Sequence, residues 1–203
     1  LDNGLKLESS LTHKYVNANN GEWVKAEDVG INDRLLYKIP TPLEFNGFNV
    51  KNYGLIHGIL NNKKVHVEKG RLYCGLDYLD LGGFCEAVNE IKHFELEVNN
   101  NEIQLTEESF NFINKLKYEF SWNKILKSPL KERKDYIKNI KTNQDDIFNE
   151  EFSSYEEAYN ISELLYTIGI TSVINNEKNV IELVTKYLVD QEYISALVTK
   201  IED

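Results

Sequence analysis

The sequence predicts an α+β protein in which a small all-β segment precedes a larger mixed domain. Three observations support this: short alternating runs before residue 40, two prolines at 40 and 42, and alternating helical and strand patterns from residue 50 onward. Proline disfavours the helical region for the residue before it. We therefore expect an all-β segment over residues 1–42 and a second domain over residues 43–203.

The first segment reads as short strands joined by turns. Leu5 to Ser9 alternates apolar and polar residues, which is typical of a half-buried strand. The run Asn17-Ala18-Asn19-Asn20-Gly21 is rich in turn formers and precedes Trp23-Val24. These patterns predict an all-β segment.

From residue 50 the pattern predicts the order helix, strand, strand, helix, strand, strand, helix. The expected elements are a helix at Val50–Leu60, strands at Lys64–Val67 and Arg71–Leu76, a helix at Gly83–Ile91, strands at Phe94–Val98 and Glu102–Leu105, and a helix at Glu107–Phe120. Gly54 and Gly58 lie four residues apart in the first helix. That spacing predicts a face on which a second helix backbone can approach closely, by analogy with glycine pairs in membrane helices.

A similar order follows in the remaining residues. The expected elements are a helix at Lys131–Lys141, a strand at Ile147–Ser153, a helix at Tyr155–Thr167 that ends at Gly169, strands at Ser172–Ile174 and Val180–Val184, and a helix at Gln191–Ile201. Glycine readily takes the left-handed conformation that ends a helix. The sequence thus predicts two pseudo-repeated αββαββα halves, at about residues 50–125 and 126–203.

Charge is unevenly distributed. The chain has a net charge of −10, yet residues 115–141, which we call the basic band, hold nine Lys and Arg against three Asp and Glu. Aromatic residues alternate with these cations, a pattern that can follow a phosphate backbone. Lys124, Lys127 and Arg133 are the candidate DNA contacts. The competing interpretation is a solvated helix pair whose aromatic side chains face the core.

Other features exclude several classes of protein. Cys74 and Cys85 lack the spacing of a zinc site, and the histidines lack metal-ligand spacing, so no metal site is predicted. No apolar run reaches the roughly 18 residues that a membrane helix needs. No Gly-rich phosphate loop precedes a helix. We expect a cytoplasmic protein that does not bind membranes.

The stretch Ser10-Leu11-Thr12-His13, followed by Gly21-Glu22-Trp23-Val24-Lys25-Ala26-Glu27-Asp28 and Asp33-Arg34-Leu35, resembles the second conserved block of inteins, the Hint fold. The resemblance implies that Ser10 and His13 form a catalytic pair in which His13 helps activate the upstream peptide bond. It also implies partners: complementary intein fragments or flanking host-protein segments. Since the chain starts at Leu1 and ends at Asp203, we expect it not to splice alone.

A second resemblance lies further along. Tyr53-Gly54-Leu55-Ile56-His57-Gly58 looks like the start of a LAGLIDADG homing-endonuclease motif, a second motif would lie at residues 136–145, and residues 155–172 are similar to the segment that follows it. The resemblance implies two carboxylates that hold Mg²⁺ at the base of a helix pair. The acid positions fall on Ile59 and Gln144, with Asp145 and Asp146 just beyond.

The sequence therefore favours an intein-derived polypeptide, part of a splicing domain joined to a LAGLIDADG scaffold that has lost cleavage. No cofactor is expected in that case. One alternative is an active endonuclease that cuts double-stranded DNA with Mg²⁺ held by Asp145 or Asp146. A further alternative is a non-enzymatic interaction module. Any DNA binding is expected to be weak and salt-sensitive, because the rest of the chain is acidic.

Overall fold

A computed structural model describes residues 9–31, 33–36, 45, 50–142, 149–170, 172–175 and 180–183. In this part of the chain the protein is α+β, with six α-helices and three small antiparallel sheets. None of the helices in these residues is long and apolar enough to cross a bilayer.

The first sheet contains β1 (Lys14–Asn17), β2 (Trp23–Lys25) and β3 (Leu35–Leu36) in the order β2-β1-β3. The predicted turn between β1 and β2 is confirmed: the Gly21 N–H donates to the Asn17 carbonyl at 2.8 Å, and Gly21 has a φ of +75°. The sheet buries little of its apolar surface. Leu11, Trp23 and Ile31 are all more than half exposed.

The second sheet has the order β4-β5-β7-β6 and is covered by three helices. Its elements along the chain are α1 (Tyr53–Asn61), β4 (Val65–Glu68), β5 (Arg71–Cys74), α2 (Leu81–Ile91), β6 (Val98–Asn99), β7 (Glu102–Gln104) and α3 (Glu107–Tyr118). Alternation along the strands buries Val65, Leu72 and Ile103 against the helices. These residues and the apolar faces of the helices form the first core.

The third sheet has the order β8-β10-β9. The remaining elements are α4 (Trp122–Leu126), α5 (Leu130–Ile140), β8 (Asn149–Glu151), α6 (Tyr155–Thr167), β9 (Ser172–Asn175) and β10 (Val180–Leu183). Buried side chains of α4, α5, α6 and β9 form the second core. Tyr53 of α1 also belongs to this second core, so α1 contributes to both.

Polar caps fix where the longer helices begin. The Asp80 side chain accepts from the Gly83 N–H at 2.9 Å at the start of α2, and the Thr106 hydroxyl accepts from the Ser109 N–H at 3.2 Å at the start of α3. Ser154 does the same for α6 through the Glu157 N–H. Each cap satisfies an N–H group that has no partner inside the helix.

Most predicted elements in the described residues are confirmed within a few positions, but two expectations need correction. The strand expected at Phe94–Val98 is present only as Val98–Asn99, because Glu95 has a φ of +57° and the Asn89 side chain bonds both the N–H and the carbonyl of Leu96. The short helix α4 was not expected. The predicted boundary at residue 42 and the helix at 191–201 lie outside the described residues.

Candidate functional site

The pair of helices α1 and α5 joins the two cores, and it is the candidate site that the LAGLIDADG resemblance singles out. Its contact is made through glycine, as the sequence predicted. A Cβ atom added at Gly54 would lie 1.7 Å from the Glu132 carbonyl oxygen, and one added at Gly58 would lie 2.9 Å from the Tyr136 carbonyl oxygen. Only glycine permits this approach of the backbones.

The first end of the pair is held by Glu132. One carboxylate oxygen of Glu132 accepts from the Asn52 N–H at 3.1 Å, and the other accepts from the Gly54 N–H at 2.9 Å. Glu132 thus caps α1 from a different helix. A carboxylate at this position also interacts favourably with the positive end of the α1 dipole. Glu132 is 5% exposed, so water screens these contacts little.

The second end is held by Asn62. Its side-chain NH₂ donates to the carbonyls of Asn139 and Lys141, both at 2.8 Å, and its oxygen accepts from the Lys64 N–H. Residue numbers rise together along the contact, from Gly54 at Glu132 to Asn62 at Lys141. The two helices therefore run in the same direction.

The LAGLIDADG resemblance predicts two catalytic acids at one end of the α1 and α5 pair. The structure has other side chains there. Ile59 does not reach this end: it is fully buried in the first core, and α1 continues to Asn61. The contact of Gly54 with Glu132 and that of Gly58 with Tyr136 each join residues 78 positions apart, so Ile59 is level with Ile137 of α5. The sequence-based register, which matches Ile59 to Gln144, joins residues 85 positions apart and differs from the observed register by seven positions.

One carboxylate, Glu150, is close to this end but is already engaged. Its oxygens accept from the Thr142 hydroxyl at 2.9 and 2.7 Å, and Glu150 is 6% exposed. Among the described residues no group of three or more His, Cys, Asp or Glu could hold a metal ion. Asp145, Asp146 and Gln144 lie outside the described residues.

His57 occupies the middle of α1 and is 3% exposed. Its ring lies 4.1 Å from the Tyr53 ring and 5.6 Å from the Phe120 ring, measured between centroids. Nδ1 of His57 is the one buried side-chain polar atom without a hydrogen-bond partner in the described part of the chain. Burial, aided by the charge of Lys124, lowers the pKa of His57 to about 4.

The basic band supplies fewer accessible cations than its composition suggests. Lys124 and Lys127 are exposed, as a DNA contact requires. Arg133 is fully buried: its Nε donates to the Ser128 carbonyl at 3.0 Å, and another guanidinium nitrogen donates to the Thr167 carbonyl at 2.6 Å. The expectation that Arg133 contacts DNA is therefore wrong. Its guanidinium donates hydrogen bonds to backbone carbonyls inside the second core.

The Ser10 and His13 pair lies in one exposed turn. The His13 N–H donates to the Ser10 carbonyl at 3.0 Å, and His13 directly precedes β1. The His13 ring contacts the Tyr15 ring with centroids 5.0 Å apart. The imidazole is thus exposed at the start of a strand.

Two structural residues of the helix pair had no signal in the sequence. Glu132 contacts Asn52 and Gly54 across about 80 positions, and Asn62 contacts Asn139 across 77. Because a lone Glu or Asn has many surface roles, only the folded contact identifies these two residues as clamps.

A comparison of the sequence with models of known protein families finds no match, and a comparison with curated proteins also finds none.

Proposed function

We propose that the chain is part of an intein in which a Hint-type splicing segment is joined to a LAGLIDADG-type endonuclease scaffold that no longer cleaves DNA. The observation that carries this proposal is the repeated strand order on the two sides of one glycine-mediated helix pair. The sheet order β5-β7-β6 on the first side corresponds to β8-β10-β9 on the second.

The correspondence extends to the helices. In the first half, α1 precedes β4 and β5, α2 precedes β6 and β7, and α3 follows. In the second half, α5 precedes β8, and α6 precedes β9 and β10. In this scheme α1 and α5 are equivalent, and they are the two helices in contact through Gly54 and Gly58. This arrangement supports two pseudo-repeated halves, although the described part of the second half has one strand between its first two helices where the first half has two.

Loss of cleavage is supported by the side chains at the end of the pair. A hard divalent cation prefers oxygen ligands that carry charge. Asn61 is the last residue of α1, and Asn62 follows it with its side-chain NH₂ donating to the Asn139 and Lys141 carbonyls, so neither position offers a charged oxygen ligand. The carboxylate of Glu150 is committed to Thr142.

The exposed face of the second sheet also disfavours DNA binding. Arg71 lies 3.3 Å from the Glu68 carboxylate and 3.8 Å from the Glu102 carboxylate. Both carboxylates lie within 4 Å of the guanidinium, so Arg71 is already engaged on this face. Non-specific DNA affinity depends on cations that contact phosphates, so this face gives little attraction.

The splicing part of the proposal rests on the first sheet. His13 lies in a turn directly before β1, and the hairpin of β1 and β2 follows in the expected order. Leu11, Trp23 and Ile31 are exposed, which fits a sheet that packs against further segments of a splicing domain.

The experiment is splicing of the natural reading frame, with its host flanks, expressed in a bacterial cell. Ligated host product is measured by mass spectrometry. In this intact context His13→Ala is expected to slow splicing by ~10²-fold or more, because a positioned acid–base group contributes that much. Ser10→Thr should be tolerated. His66→Ala, which changes another exposed histidine, is the matched control. Parental splicing by His13→Ala would contradict the proposal.

A further inference from the structure

A groove of about 510 Å³ opens beside the helix pair, between α1, the segment that links α3 to α4, and the start of α6. It lies within the range of volumes that small-molecule sites occupy. Six of its lining residues offer a ring, a charge or a hydrogen-bonding group to a ligand: Asn61, Lys63, Lys117, Phe120, Trp122 and Glu157.

One wall of the groove is aromatic. Phe120 and Trp122 contact each other edge to face with ring centroids 4.9 Å apart, and Phe120 stacks on Tyr136 at 5.3 Å. Tyr136 is 1% exposed, whereas Phe120 and Trp122 are half-buried. The buried ring therefore supports two rings that remain accessible from the groove. Because the two rings are nearly perpendicular, a flat ligand ring can stack on one of them, Trp122, and contact Phe120 from the side.

Two cations lie on the groove, and neither is paired with a carboxylate. Lys63 and Lys117 are exposed, and within the described part of the chain no carboxylate is within ion-pair distance of either ammonium group. Lys115, on the same helix as Lys117, differs because Glu119 is 3.6 Å away. The Lys63 ammonium group lies over the Phe152 ring, 5.0 Å from its centroid. Two lysines without a carboxylate partner beside an aromatic wall favour a ligand that is anionic.

The groove also carries groups that accept hydrogen bonds from a ligand. One oxygen of Glu157 accepts from the N–H and the hydroxyl of Ser153, at 3.1 and 2.7 Å, which fixes the carboxylate. Asn61 donates to the Tyr136 hydroxyl at 3.3 Å, so its amide oxygen remains an acceptor. A simple anion would be repelled by Glu157, whereas a ligand with amino or hydroxyl donors would be bound.

We propose that this groove binds a nucleotide, with the base stacked on Trp122 beside Phe120, the phosphate at Lys63 and Lys117, and a sugar or base donor at Glu157. The nucleotide is either free or part of a single strand, since both present the same chemistry. This site does not depend on the proposed function, because it uses neither His13 nor the acid positions of the helix pair.

The test uses the full chain with Trp23→Phe, which leaves Trp122 as its only tryptophan. Trp122 fluorescence is followed during titration with adenosine monophosphate, with a short single-stranded oligothymidine and with inorganic phosphate. We expect saturable quenching by the mononucleotide or the single strand, and at least tenfold weaker binding of phosphate. Tighter binding of the mononucleotide identifies a free ligand, and tighter binding of the oligonucleotide identifies a strand; either result supports the site.

Matched lysine variants distinguish binding in the groove from general electrostatic attraction. Lys63→Ala with Lys117→Ala should weaken nucleotide binding at least tenfold. Lys64→Ala with Lys115→Ala removes the same charge from neighbouring positions that do not line the groove, and it should change binding less than twofold. Circular dichroism checks that both variants are folded. Equal losses in the two variants, absence of saturable quenching, or equal affinity for phosphate and nucleotide would each overturn the proposal.

Discussion

Gly54 and Glu132 are in contact through both backbone and side chain. The Gly54 N–H donates to the Glu132 carboxylate at 2.9 Å, and a Cβ atom at Gly54 would overlap the Glu132 carbonyl oxygen. The backbone of Glu132 thus packs where Gly54 has no side chain, and the carboxylate of Glu132 caps the first turn of α1. This double contact explains how two helices from separate cores are held in one register.

Gly54→Ala should be strongly destabilising. Overpacking usually costs about 1–3 kcal/mol, and we expect the upper end or more because the obstructing atoms belong to backbone. Gly58→Ala, where the added Cβ would lie 2.9 Å from a carbonyl oxygen, should cost less. Urea unfolding measures both changes.

Gly82→Ala is the control for the glycine variants. A Cβ at Gly82 would approach no atom closer than 4.0 Å, and Gly82 lies in the first turn of α2. Alanine favours helix over glycine by roughly 0.5–1 kcal/mol, so this variant should be stabilised or unchanged. Equal destabilisation of Gly54→Ala and Gly82→Ala would argue against a close helix contact.

Glu132→Gln tests the cap on α1. The amide keeps the shape of the carboxylate but offers one acceptor oxygen, so one of the N–H groups of Asn52 and Gly54 loses its partner. An unsatisfied buried donor costs roughly 1–3 kcal/mol. Asp135→Asn, which breaks the 2.6 Å surface pair of Asp135 with Lys131, should cost at most about 1 kcal/mol. Chemical denaturation measures the free energy of unfolding of the two variants. Similar losses in both would contradict the capping role of Glu132.

His57 should make the protein less stable in mild acid. Its pKa in the folded state is about 4, below the ordinary 6.5, so between these values the unfolded chain binds a proton that the folded chain does not. The contribution of His57 to the free energy of unfolding is complete above pH 6.5 and falls as the pH drops toward 4. At ~1.4 kcal/mol per unit of pKa, the loss is about 3 kcal/mol.

His57→Phe should remove this part of the pH dependence. The free energy of unfolding would be measured at several values between pH 7.5 and 4.5 for the parent, for His57→Phe, and for His66→Phe, which changes an exposed histidine. The slope should decrease only in His57→Phe. An unchanged slope in that variant would show that the His57 pKa is not lowered by folding.

Both cysteines should be unreactive while the protein is folded. Cys74 and Cys85 are buried in the first core, and burial raises the pKa of each thiol, that of Cys85 to about 11. Because the thiolate is the reactive form, a disulfide reagent at pH 8 should modify neither until denaturant is added. Rapid modification of the native protein would place at least one thiol at the surface.

The sequence predicted local structure better than long-range contact. The period of Tyr155–Thr167 and the glycine after it gave α6 correctly, and Gly169 has the expected left-handed conformation with a φ of +90°. The spacing of Gly54 and Gly58 gave the helix contact because a glycine pair has few other uses in a helix. These features depend on residues within a few positions of one another.

Features that depend on distant residues were missed. Arg133 lies in a run of cations, and composition alone favoured a surface position, yet its guanidinium is buried against the carbonyls of Ser128 and Thr167. Ile59 was matched to an acid position, yet its side chain is fully buried in the first core, and the contacts of Gly54 and Gly58 set a different register with α5. In both cases the helix that packs against the residue, which the local sequence does not specify, decides its role.

Cleavage of DNA is the most direct test of a scaffold without nuclease activity. The full chain would be incubated with a linear duplex that carries the joined host coding sequence, in the presence of Mg²⁺ or Mn²⁺, and the products separated by size. We predict that the duplex stays intact, since the expected acid position in α1 is the fully buried Ile59. A specific double-strand break that is abolished by Asp145→Ala or Asp146→Ala would contradict this account.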